Sequence, residues 1–157
     1  LALAIEQLSK LLRYVTDETQ TGQVSIGQEI EFIRNYLEVQ LLRFAPGEVD
    51  FQVEVIGSYT EQSLEPGLFI PFVENAFKFG TEPEQRTTIQ LVFDVRAKGQ
   101  VHFYCHNQCL RTDAIPKREG TGIKSTQESL QLVYPGQHSL IIEKNGSFSV
   151  NLTIQTL

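Results

Sequence analysis

The stretch Phe69-Ile70-Pro71-Phe72-Val73-Glu74-Asn75-Ala76-Phe77-Lys78-Phe79-Gly80 sets three polar side chains into an otherwise apolar segment. At helical spacing Asn75 and Lys78 (i,i+3) share a face, and Glu74 and Lys78 (i,i+4) come within ion-pair reach. An amide oxygen is a hard ligand suited to Mg²⁺, and an ammonium is a point charge suited to phosphate. A carboxylate beside them can polarise a water or a hydroxyl. A solvated helix face with one ion pair would use the same residues. A second stretch, Gly120-Thr121-Gly122-Ile123, closes an aperiodic segment and opens an apolar period. Its glycines allow close backbone approach, and the free N–H groups of a helix start attract phosphate. It lacks the third glycine of a dinucleotide fingerprint, no G-x-x-x-x-G-K-[ST] loop occurs, and a plain loop-to-helix junction reads the same way.

The elements that must position these groups are set by periodicity. Leu1, Ile5, Leu8, Leu12 and Val15 predict a helix to about Asp17, and the polar run Thr19 to Gln23 breaks it. Ser25 and Gln28 form a capping-box pattern, after which Ile26, Ile30, Ile33, Leu37, Leu41 and Phe44 hold one face up to Pro46-Gly47. These two helices are expected to pack as a helical hairpin over residues 1–45. From Val49 the period becomes two. Val49 to Val55, Ile89 to Val95 and Val101 to Cys105 read as strands, with Lys98-Gly99-Gln100 as a hairpin turn. A helix ends at Gly80, with Pro71 kinking it or marking its start. Residues 108–121 form a loop long enough to have a function. Ile123, Thr126, Leu130 and Val133 resume a helix, and Leu140 to Ile154 close a hairpin about Asn145-Gly146. The predicted fold is α+β: a two-layer α/β sandwich over residues 46–157, its largely antiparallel sheet carrying helices on one face, preceded by the hairpin.

Composition sets the remaining bounds. Of 157 residues, 41% are hydrophobic and 20% charged, the profile of a globular chain with a continuous core. Thirteen Lys and Arg against 19 Asp and Glu give a net charge of −6, which argues against a nucleic-acid or anionic-lipid surface. Cys105 and Cys109 are too few for a disulfide framework or a cysteine zinc site and read as inert thiols. No apolar run approaches the ~20 residues that cross a bilayer. The chain is expected to be soluble and, starting Leu-Ala-Leu-Ala with no Met, to be a piece of a longer protein.

Taken together and in order, "LSKLLRYV", "EIEFIRNYLEVQLLRF", "LFIPFVENAFKFG" and "GTGIKSTQESLQLVYP" resemble the LytS-type sensor histidine kinases of the GHKL ATPase superfamily. The resemblance implies that residues 1 to about 45 end the dimerisation and phosphotransfer helices and that the remainder is an ATP-binding catalytic domain, a mixed five-stranded sheet under three helices. By position, Asn75 matches the Mg²⁺-ligating Asn of the N-box. Glu74, given a catalytic role, and Lys78 match its polar neighbours. Gly120, Thr121 and Gly122 match the glycine segment near the phosphates, and 108–119 match the mobile lid. His106 stands where relatives carry an Asp that accepts the adenine amino group, with Asn107 its replacement if the register shifts by one. Phe79 and Ser125 stand where relatives have His and Asn. The implied chemistry is transfer of the γ-phosphoryl group of ATP, with Mg²⁺, to a histidine. His102, His106 and His138 all lie off the N-terminal helices, so the acceptor is expected upstream of Leu1. The implied partners are a response regulator receiver domain and a second copy through the N-terminal helices. The implied setting is cytoplasmic, with membrane contact only through parts outside this chain. The alternative is a degenerate GHKL-fold module with weak or no nucleotide binding, acting in dimerisation and partner docking.

Overall fold

The computed structural model describes residues 2–13, 22–58, 62–109 and 121–156. In chain order these form α1 (Ala2–Arg13), β1 (Val24–Ser25), α2 (Ile26–Leu41), β2 (Val49–Ile56), β3 (Ser63–Leu64), α3 (Ile70–Gly80), β4 (Thr87–Asp94), β5 (Gln100–Gln108), α4 (Thr121–Val133), β6 (His138–Lys144) and β7 (Ser147–Gln155). Among the described residues no helix is long and apolar enough to cross a membrane.

Five strands make one mixed sheet in the order β2-β4-β5-β7-β6. The β4–β5, β5–β7 and β6–β7 pairings are antiparallel. The β2–β4 pairing is parallel, because the chain returns through α3 before laying β4 beside β2. Alternation assigns the two faces. On β5, Val101, Phe103, Cys105 and Asn107 are buried while His102, Tyr104 and His106 are half-exposed. The buried face meets the helices through an aromatic cluster: Phe69 lies 4.8 Å from Phe103 and 5.3 Å from Phe93, ring centroid to centroid. The two-layer α+β sandwich is therefore as expected.

α2 starts as its sequence dictates. Ser25 accepts the Gln28 N–H at 3.2 Å, and the Gln28 side chain accepts the Ser25 N–H at 2.8 Å. Its stripe, however, is not reserved for a hairpin. Ile26, Ile30, Ile33 and Leu37 are buried in the same apolar cluster as the sheet residues Leu91, Phe93 and Val150. α1 lies against α2, yet Ile5, Leu8 and Leu12 remain 57%, 49% and 64% exposed. The boundary expected at residue 45 thus falls within a continuous core. The expected extension of α1 to Asp17 lies outside the described residues.

The segment expected to be a plain loop between β2 and α3 contains β3, which pairs antiparallel with β1. Two polar contacts anchor the residues between β3 and α3. The Gly67 N–H donates to the buried carboxylate of Glu29 on α2 at 3.2 Å, and the Glu65 N–H donates to the hydroxyl of Tyr134, just beyond α4, at 2.9 Å. The chain entering α3 is thus held from two helices.

Candidate functional site

α3 begins at Ile70 with Pro71 in its first turn, where a missing N–H costs nothing, so Pro71 marks the start and not a kink. Phe72, Val73, Ala76, Phe77 and Gly80 form its buried stripe. At about 100° per residue, this stripe leaves Glu74 on one flank of the helix, Asn75 on the other, and Lys78 outermost. The three side chains thus do not converge on one point.

Asn75 lies one turn beyond Pro71 on the same ridge, and that ridge faces α4. A Cβ built on Gly122 would lie 3.8 Å from the Pro71 Cβ. Thr121 opens α4. Gly122, Lys124 and Ser125 are exposed, while Ile123 and Thr126 turn inward, Thr126 donating to the Gly122 carbonyl at 3.0 Å. Asn75, one turn further along the Pro71 ridge, is half-buried. Gly120 and the expected lid up to Glu119 lie outside the described residues beyond Cys109.

At the C-terminal end of α3, Gly80 rests on Asn107 of β5. A Cβ on Gly80 would lie 2.6 Å from the Asn107 Nδ2, closer than side chains approach one another. Asn107 is wholly buried. Its Nδ2 donates to the Gln108 carbonyl at 2.9 Å, and since that carbonyl can only accept, the amide orientation is set. Its Oδ1 is left buried with no hydrogen-bond partner among the described residues. A buried acceptor in that condition costs about 1–3 kcal/mol until something donates to it.

His106 points the opposite way. It stacks on Tyr104 across the open face of the sheet, centroids 6.2 Å apart and planes 12° apart. There it lines a pocket of about 470 Å³ with Asp50, Gln52, Arg86 and Gln90. His106 and Asn107 are consecutive on a strand and must face opposite sides. The two residues named for the acceptor position are thus divided: His106 lies on the open face, and Asn107 faces α3. The alternation Val101, Phe103, Cys105, carried two residues further, is the signal that finds it.

The other flank of α3 opens onto a cavity of about 520 Å³ shared with α2. Glu74, Phe77 and Lys78 line it from α3, facing Tyr36, Arg43 and Phe44. The Phe44 and Phe77 rings are stacked at 6.1 Å, and Phe51 supports Phe77 from the sheet at 4.7 Å. Burial, reinforced by the Glu74 carboxylate and offset by Arg43, pushes the Tyr36 hydroxyl up to about 12. The i,i+4 ion pair expected of Glu74 and Lys78 is not formed among the described residues. Lys78 instead places its Nζ 5.4 Å from the Phe79 ring centroid. Sequence reasoning missed Gly80, Tyr36 and Arg43. Gly80 was legible in the i, i+4, i+8 spacing of Phe72, Ala76 and Gly80, which sets a residue without a side chain on a buried stripe.

Residues 1–47 match the family model described as histidine kinase. An uncharacterized sensor-like histidine kinase of Staphylococcus epidermidis is 27% identical over 104 residues, 66% of this chain and 19% of the relative. The sensor protein kinase HptS of Staphylococcus aureus is 29% identical over 80 residues, 51% of this chain and 15% of the relative. The chain thus spans less than a fifth of the length of these curated relatives. Among solved structures, the catalytic domain of histidine kinase ThkA superposes with a TM-score of 0.58 at 13% identity, covering 85% of this chain and 93% of that one. Histidine kinase AdeS of Acinetobacter baumannii gives 0.59 at 10% identity over 96% of this chain and 76% of its own. ThkA in complex with response regulator protein TrrA gives 0.59 at 12% identity over 98% and 49%. A segment matched by the histidine kinase family model thus leads into a domain with the fold of histidine kinase catalytic domains.

Proposed function

We propose that this chain is the catalytic portion of a two-component sensor histidine kinase that binds Mg·ATP and passes the γ-phosphoryl group to a histidine N-terminal to Leu1. The observation that carries the reading is the Asn107 Oδ1, a buried acceptor lacking a donor at the foot of α3. An adenine amino group supplies that donor. Guanine would present a carbonyl oxygen at the same place, so a pocket built on this acceptor selects adenine. From there the triphosphate runs along the flank of α3 that faces α4. Asn75 would hold Mg²⁺ through its amide oxygen, consistent with an ion that takes few protein ligands and several phosphate oxygens. Lys78, Gly120, Thr121 and Gly122 would contact the phosphates, and Ser125 would border them. Bound Mg²⁺ neutralises charge on the transferring group. Glu74, exposed on the flank that faces α2, would polarise the incoming acceptor.

In this reading the catalytic unit starts with α2, whose buried face belongs to the sheet's core. α1, with Ile5, Leu8 and Leu12 exposed, pairs with its counterpart in a homodimer. A response regulator receiver domain takes the phosphoryl group, and any membrane anchor lies in other parts of the intact protein.

Calorimetric titration with a non-hydrolysable ATP analogue and Mg²⁺ tests this. The unmodified chain binds, and Asn75→Ala and Asn107→Ala each weaken binding by about tenfold or more, equivalent to about 1.4 kcal/mol. Asn75→Ala also abolishes the dependence on Mg²⁺. Absence of binding at millimolar nucleotide in the unmodified chain would replace this reading with the degenerate module.

A further inference from the structure

We propose that the outer edge of β6 is a self-association surface, where a second copy of this chain adds its own β6 antiparallel and the two five-stranded sheets run on as one. β6 is an end strand of the sheet, and among the described residues it pairs with β7 alone. Its ladder with β7 is closed at one end by the Asn145 N–H donating to the Ser147 carbonyl at 3.0 Å and at the other by the Gln155 N–H donating to the Gln137 carbonyl at 2.8 Å. Antiparallel pairs alternate between bonded and unbonded, so Ser139, Ile141 and Glu143 direct their backbone groups to β7. His138, Leu140, Ile142 and Lys144 therefore aim theirs at the open edge. That edge has neither of the usual guards against pairing: it holds no proline, and its register with β7 runs without a bulge. Its middle residue, Ile141, is 54% exposed. His138 sets its Nδ1 2.7 Å from the Tyr134 carbonyl oxygen, so the end of α4, with exposed Leu132 and Val133, adjoins the start of β6. Outside α1 and Leu42, the exposed large hydrophobic side chains of the described residues all fall in this stretch, 132–141.

Symmetry and charge select the occupant. Two identical strands related by a twofold axis pair about one centre, residue i on j and j on i, with facing side chains on the same side of the sheet. Centred on Ile141, that residue meets its own counterpart, Leu140 meets Ile142 of the second copy, and Ser139 meets Glu143, a hydroxyl against a carboxylate. Centring on Leu140 or Ile142 instead sets Ile141 against Ser139 or Glu143, so the apolar pairing fixes the register. The other end strand, β2, is unsuited to the same operation. About Gln52 it would set Asp50 against Glu54, two exposed carboxylates directly opposite each other. The β6 edge is seven residues long, which places the contact among weak, reversible associations. It does not involve α1 and does not rest on nucleotide binding.

The test is disulfide trapping in the full chain carrying Cys109→Ser, which removes the accessible native thiol and leaves Cys105 buried. In the proposed register residue 141 faces itself in an unbonded pair, with Cα atoms about 4.5 Å apart and within disulfide range. Residue 139 lies about 13 Å from its own counterpart, four positions out of register. Under a mild oxidant Ile141→Cys therefore gives a covalent dimer at least about tenfold faster than Ser139→Cys. Mixing Ser139→Cys with Glu143→Cys gives a cross-linked pair that neither variant forms alone. Melting temperature of each reduced variant checks the fold. Equal rates at 139 and 141 report random collision and overturn the proposal. A folded Ile141→Cys chain that stays monomeric under oxidant overturns it as well, and this is the result expected if the edge takes a strand from a different protein. Pairing of copies through α1 alone favours neither position, so the comparison holds whether or not α1 associates.

Discussion

Gly80 and Asn107 interlock: the glycine backbone leaves only the space that the amide fills, and a Cβ there would lie 2.9 Å from the Asn107 Cβ as well as 2.6 Å from its Nδ2. Gly80→Ala therefore forces the amide or the end of α3 to move. The expected cost is about 1–3 kcal/mol, the range for overpacking a filled core. Because the displaced group is the proposed adenine acceptor, nucleotide affinity falls by more than a comparably destabilising change remote from the site. Denaturant melts and analogue titration on the same protein separate the two effects.

The opposed faces of β5 give a second test. His106→Asp alters a residue on the open face, stacked on Tyr104, and leaves nucleotide affinity unchanged. Asn107→Leu removes the buried acceptor and weakens binding by about tenfold or more; its bulkier end presses on Gly80 and the hydrogen bond to the Gln108 carbonyl is lost, so stability falls as well. A calorimetric comparison in which the His106 variant changes affinity and the Asn107 variant does not would reverse the assignment of faces.

Tyr134 is 6% exposed, and its hydroxyl accepts the Glu65 N–H at 2.9 Å. Tyr134→Phe keeps the ring and strands the amide, at a cost of about 1 kcal/mol. For a chain of this size that corresponds to a drop of about 2–4 °C in melting temperature. A melt identical to that of the unmodified protein would show that water replaces the phenol there.

Cys105 is wholly enclosed among apolar side chains, and burial pushes its thiol from 9.0 up to about 12. The folded protein therefore retains a proton that the unfolded chain releases. The resulting stability is complete below about pH 9 and is lost as pH rises from 9 towards 12. Tyr36, raised from 10.0 to about 12, adds in the same direction over the upper part of that window. Melting temperature should fall across this range, and Cys105→Val should flatten the first part of the fall. In native protein at pH 8 a thiol reagent modifies Cys109 and spares Cys105; equal modification rates would contradict the burial.

Local chemistry was legible and long-range pairing was not. Ser25 and Gln28 announced their capping box, Pro71 the start of α3, and Asn145-Gly146 the last turn, where the Asn145 N–H donates to the Ser147 carbonyl at 3.0 Å. Each is decided by residues within a few positions of one another. The parallel register of Val49 on Thr87 is decided 38 positions apart and leaves no trace in either strand alone. The stripe Ile26, Ile30, Ile33, Leu37 stated that α2 is buried on one side but not against what, so a hairpin and a core helix read alike. In the candidate site, residue types drew attention to the polar groups of α3. Periodicity could also have divided Glu74 from Asn75, had the buried stripe been drawn first.

The clasp of β1 on β3, Val24 on Leu64 and Ser25 on Ser63, has a mechanical consequence. It is reinforced by the Ile26 N–H donating to the Gln62 carbonyl at 3.0 Å and joins the first turn of α2 to the strand that leads into α3. While that clasp holds, the start of α2 and the strand leading into α3 can only be displaced together.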